Sequence, residues 1–86
     1  MAVAFAPEIG SYVRERVWHP TQTFRTLSDG RLELRMHVAP TIELENWILG
    51  FGPDAQVLEP ASLVERIGAL LRRAAARYPE PAPEPA

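Results

Sequence analysis

The side chains of this chain that could do chemistry are few and scattered. Its two histidines, His19 and His37, have no acidic residue three or four positions later, so neither starts a recognisable metal-ligand spacing. Cysteine is absent, which excludes thiolate ligands, a thiol nucleophile and disulfides together. Ser11, Ser28 and Ser62 are each explained by a helix, turn or cap position. Gly50-Phe51-Gly52 is too short to cradle a phosphate, has no Lys-Ser/Thr after it, and reads as a helix stop. These residues predict no catalytic centre, no metal and no cofactor. What remains suits contact rather than reaction: Trp18, His19 and Phe51, together with Arg25, Arg35 and His37. Burying one aromatic against a partner contributes about 1.5–3 kcal/mol. The arginines can pair with an anionic effector, while structural pairing with Glu33 is the competing explanation.

The elements that position these groups follow from spacing and turn chemistry. Ala2–Phe5 is a short apolar run that reads as a strand. Pro7 suits a first helical turn, and Ile9, Tyr12, Val13 and Arg16 then recur at helical spacing, predicting a helix that stops near Val17. Leu32, Leu34, Met36 and Val38 alternate with Glu33, Arg35 and His37, so a strand from Leu32 to Val38 should follow one from Gln22 to Leu27. The Ser28-Asp29-Gly30 turn sets their register. A three-residue loop with Gly30 left-handed pairs Phe24 with Leu34, whereas a two-residue loop would turn Phe24 to the polar face. Burial selects the first, leaving Thr23, Arg25, Glu33, Arg35 and His37 on the outer face.

Thr41 is a natural N-cap for a helix carrying Ile42, Leu44, Trp47, Ile48 and Phe51, which Gly50, Gly52 and Pro53 stop. Ala55–Glu59 reads as a strand with Val57 inward. The last helix places Leu63, Ile67, Leu70, Leu71 and Ala74 on one face. Its start is either a Ser62/Glu65 capping box or Glu59 as cap with Pro60 in the first turn. The resulting βαββαβ order predicts an α+β fold: a ferredoxin-like antiparallel sheet in spatial order 4-1-3-2, with an additional C-terminal helix. That helix must cover a sheet edge, the open face or a partner chain. Acylphosphatase chemistry on such a fold needs an anion-cradling loop with Arg after the first strand. Here that loop is Ala6-Pro7-Glu8, whose carboxylate repels phosphate.

Composition bounds the partners. The 86 residues make one small domain, with a net charge of −2 and every one of its nine basic residues an arginine. That balance argues against the chain itself being the main DNA-contacting surface. No apolar run approaches the about 20 residues of a membrane-spanning helix, and no secretory signal opens the chain, so a cytoplasmic location is expected. Residues 1–78 read as the folded domain, and 79–86, alternating Pro with Glu and Ala, as a disordered tail. Trp18, Trp47, Phe51 and Leu49 exceed what one short core easily absorbs. Either the last helix covers them, or a dimer or inter-domain surface does.

Two stretches carry a family resemblance. Tyr12-Val13-Arg14-Glu15-Arg16-Val17-Trp18-His19-Pro20-Thr21-Gln22 is one. The other is Glu43-Leu44-Glu45-Asn46-Trp47-Ile48-Leu49-Gly50-Phe51-Gly52, leading to Ala55-Gln56-Val57-Leu58-Glu59-Pro60 and the Leu63 helix. Together they resemble the C-terminal extension, or WCX domain, of bacterial WYL-domain transcriptional regulators. The resemblance implies a parent with an N-terminal winged helix-turn-helix that binds DNA, a central WYL barrel, and this module last. Neither the WYL tripeptide nor a helix-turn-helix pattern occurs in these residues. The implied function is a non-enzymatic regulatory and dimerisation module that relays or gates effector binding, its partners being a second subunit and the WYL domain of its own chain. The alternative is a free-standing ferredoxin-like small-molecule sensor.

Overall fold

The computed structural model describes residues 1–80. Its elements are β1 (Ala2–Phe5), α1 (Gly10–Arg14), β2 (Thr23–Thr26), β3 (Leu32–Arg35), α2 (Ile42–Leu49), β4 (Ala55–Glu59) and α3 (Ala61–Ala76). Short 3-10 turns at Pro7–Ile9 and Gly52–Asp54 precede α1 and β4. The four strands form one antiparallel sheet in the order β2-β3-β1-β4, as the βαββαβ pattern requires. Pro79 and Glu80 are exposed and irregular, and the rest of the expected tail, 81–86, lies outside the described residues.

The β2–β3 hairpin adopts the predicted register. Leu27 N donates to Arg31 O at 2.8 Å and Gly30 N to Leu27 O at 2.9 Å, and Gly30 holds φ +88°. Phe24 therefore opposes Leu34, which opposes Val3, which opposes Val57, giving one apolar row across all four strands. Val3 and Leu34 are fully buried within this row, and Val13, Ile48, Leu63 and Ile67 descend onto it from the helices.

The other side of the sheet is a polar lattice rather than a solvated face. Two rows cross it: Arg25, Glu33, Ala4, Gln56 and Thr23, Arg35, Ala2, Glu59. Because β1 contributes only alanines, longer side chains from β3 and β4 meet above it. Arg35 reaches Glu59 at 3.0 Å, and Arg31 reaches Gln56 at 2.7 Å. Ala2, Ala4 and Glu33 are buried beneath this cover.

Four local expectations are corrected. The first helix is split into a 3-10 turn and the five residues of α1, leaving Val13 buried and Tyr12 exposed under the Arg16 guanidinium, 4.0 Å from its ring centroid. The hairpin strands stop at Thr26 and Arg35, because His37 N turns to Thr21 Oγ1 at 2.8 Å instead of continuing a ladder. Ile42 faces solvent, whereas Leu49 packs against the core. α3 starts from Pro60 with no side-chain cap, since Pro60 O itself accepts from the amides of Leu63 and Val64. Thr41, by contrast, caps α2 as predicted, accepting from Leu44 N at 3.1 Å. Of the three places open to the final helix, the structure has it against the edge strand β4, with Leu63 and Ile67 inward.

Candidate functional site

The most elaborate local structure lies in the loop between α1 and β2. Trp18 Nε1 donates to Val13 O at 3.0 Å, taking a carbonyl that a longer helix would use and so ending α1. Gln22 then closes the loop. Its Oε1 accepts from Trp18 N at 2.6 Å and His19 N at 3.2 Å, and its Nε2 donates to Arg16 O at 3.0 Å. One amide thus satisfies three backbone groups in a segment with no ladder of its own. Thr21 N donates to His19 Nδ1 at 3.1 Å, and the Thr21 hydroxyl lies 2.8 Å from the same nitrogen.

This loop holds Trp18 over an aromatic cluster. The Trp18 and Trp47 centroids are 5.2 Å apart, those of Trp47 and Phe51 5.3 Å, and those of Phe51 and Phe5 5.0 Å. The Trp47–Phe51 and Phe5–Phe51 contacts are edge-to-face, the geometry favoured by the ring quadrupoles. The apolar excess of the sequence is therefore largely absorbed within the chain. The rings of Trp18, Trp47 and Phe51 cover one another, and all three pack against the core cluster to which Leu63 and Ile67 of α3 belong. Trp18, Trp47 and Phe51 nonetheless remain only half-buried.

Beside the cluster runs a groove of about 360 Å³. Trp18, Met36, Val38, Leu44 and Trp47 form its apolar walls, and His19, Thr41 and Glu43 are its polar contributors. Two stretches distant in sequence meet here: the Trp18 loop, and the run from the end of β3 through the α2 cap into the first turns of α2. Such a cleft, apolar with a few polar groups, has the make-up of a small-ligand or side-chain recognition site.

The six contact residues expected from sequence fall into separate places. Trp18 and His19 line the groove, and Phe51 touches Trp18 through a 6.4 Å ring contact outside the lining. His37 is exposed and is tied to the loop through its amide bond to Thr21. Arg25 and Arg35 lie across the sheet. There Arg35 Nε donates to Glu33 at 2.8 Å and Arg25 Nη2 lies 3.3 Å from its other oxygen. The hydrogen bond from Arg35, with the positive fields of both guanidiniums, holds the Glu33 carboxyl below its ordinary range despite burial. Glu33 and Glu59 in turn raise Arg35. Two cations and two carboxylates make this cluster electrically balanced.

Sequence reasoning named Glu33 as the competing partner of the two arginines, which the structure bears out, but did not single out Gln22, Glu45 or most of the groove. Buried Glu45 accepts from Arg66 Nε of α3, and this bond raises Arg66. Its signal was available: both charges lie on amphipathic helices. Their pairing, however, depends on how those helices cross. Among the described residues no helix is long and apolar enough to cross a membrane, and no three His, Asp or Glu side chains are grouped to hold a metal ion.

The family model for the WCX domain matches residues 1–75, which takes in every strand and all but the last residue of α3. The chain belongs to the WCX domain family. The WCX domain is also similar to Protein PafC of Mycobacterium tuberculosis, in strains CDC 1551 and H37Rv, at 38% identity over 50 residues in each. That stretch is 58% of this chain and 16% of the length of PafC.

Proposed function

We propose that residues 1–78 act as the non-catalytic regulatory and oligomerisation module of a WYL-family DNA-binding transcriptional regulator. The family match over residues 1–75 carries this reading. The likeness to a small share of the longer PafC supports a module that works within a larger chain. In this reading DNA is bound by an N-terminal domain of the parent, and the WCX domain contacts the WYL domain and a second subunit in the cytoplasm. It relays or gates the effector through the groove, because Trp18 couples that surface to α1, α2 and, through Phe51, to β1. Arg25 and Arg35 keep exposed edges beyond Glu33, suited to acidic side chains of a neighbouring domain. A free anionic effector there would have to compete with Glu33 and Glu59.

The experiment is removal of residues 1–78 from the full-length regulator, followed by operator binding and effector-dependent transcription. The expected result is retained DNA binding with loss of the effector response or of subunit association. Unchanged response and association would overturn the reading. The groove also favours a second reading, a small-molecule sensor acting alone. A free amino acid or nucleotide that raises the melting temperature of the isolated chain would support it.

A further inference from the structure

α3 outruns the domain it packs on. Its 16 residues bury only Leu63 and Ile67, both in the first half. The apolar stripe nevertheless continues at helical spacing through Leu70, Leu71 and Ala74 to Tyr78, with Leu71 45% and Tyr78 86% exposed. Arg73 and Arg77 flank that stripe, no acidic residue occurs between Glu65 and Glu80, and neither arginine is ion-paired among the described residues. Among the described residues this amphipathic half-helix thus stands largely exposed, with only Leu71 set beside the start of β4.

The groove is the complementary surface. Trp18, Val38, Leu44 and Trp47 make it apolar, and the exposed carboxylate of Glu43, likewise unpaired among the described residues, stands at its edge. The two surfaces lie at opposite ends of the molecule. β3 and β4 run the same way, each antiparallel to β1, so the groove at the end of β3 lies toward the end of β4. α3 starts from that end and runs back along β4, with Leu71 beside Ala55. A twofold axis that sets two copies antiparallel brings each helix tip to the other copy's groove.

We propose that this WCX domain forms a reciprocal dimer in which the α3 tip of each copy, through Leu71, Ala74 and Tyr78, occupies the groove of the second copy, with Arg73 and Arg77 against its Glu43. Tip-against-tip pairing is disfavoured, because it gathers Arg72, Arg73 and Arg77 of both copies with no carboxylate between them. A nucleic-acid partner would answer the arginines and leave the leucines unmatched. Reciprocity doubles the buried area, which matters because interfaces below about 1,200 Å² are mostly transient. It also closes the assembly at two copies.

The inference rests on the self-association part of the proposed function, and sedimentation separates the two. The 86-residue chain is compared with E43R, with R73E/R77E, and with an equimolar mixture of these variants. All three side chains are exposed, and thermal melts verify that each variant folds. The wild type should dimerise at sub-millimolar concentration, and each variant alone should associate at least about tenfold more weakly. The mixture should regain the dimer, since acidic tips then meet basic grooves and basic tips meet acidic ones. A wild type that stays monomeric, variants that dimerise normally, or a mixture that fails to recover would each overturn the reciprocal dimer. The regulatory reading would instead fail in the transcription assay.

Discussion

Replacing Gln22 with Met keeps the bulk of the side chain and removes the three hydrogen bonds its amide makes across the Trp18 loop. The Arg16 carbonyl is exposed and can turn to water, so losing its bond costs little. The Trp18 and His19 amides are part-buried and lose their shared acceptor. At about 1 kcal/mol net for each such bond, the variant should be about 2 kcal/mol less stable. For a domain of this size that lowers the melting temperature by about 8–16 °C. Because Trp18 and Trp47 are the only two tryptophans and both line the groove, fluorescence excited selectively at tryptophan, which leaves Tyr12 and Tyr78 dark, reports on the groove. Its emission should shift to the red in the variant before global unfolding, as Trp18 loses its seat on the cluster. A melting temperature and emission equal to the wild type would refute the claim that one amide holds this loop.

Removing the α2 cap by Thr41→Ala should cost about 1 kcal/mol in denaturant melts, whereas Thr41→Ser should cost little. Gly30→Ala meets only an ordinary contact with Pro7, 3.7 Å away, so its cost is the left-handed backbone, about 1–2 kcal/mol; Gly30→Asn should recover part of it in the same melts. The pH dependence follows from Glu33. Its carboxyl is held low in the folded state, so its contribution is complete above the ordinary glutamate range and fades as pH falls through the lowered value. Melting temperature against pH should therefore fall less steeply on the acid side in Glu33→Gln than in the wild type, and identical slopes would contradict the pairing with Arg35.

Much of the architecture was legible because local chemistry and burial agreed. Ser28-Asp29-Gly30 allowed two loops, and only one put Phe24 beside Leu34. Thr41 followed by Ile42-Glu43-Leu44 announced both a cap and a helix. What escaped depends on neighbours remote in sequence. The sequence names Glu33 as a partner for the arginines, but its burial follows only once Ala4 on β1 leaves space for them and Glu59 to close over the sheet. α1 has helical spacing through Arg16, yet an indole N–H five residues on claims the Val13 carbonyl. The α3 stripe runs from Leu63 to Ala74, but the sheet beside it is shorter than the helix, so Leu71 sits at the start of β4 and Ala74 runs past the end. The groove was half legible: Trp18 and His19 drew attention by type, while Met36, Val38 and Leu44 look like ordinary core residues until the loop folds over them.

The groove as the surface through which this domain regulates is tested most directly by filling it. Ala39 lines the groove and is itself exposed, so Ala39→Trp occupies the space without entering the core. Effector-dependent transcription by the full-length regulator carrying that substitution is the measurement. The account predicts a folded protein that still binds its operator and no longer responds. A filled groove with the response intact would contradict it.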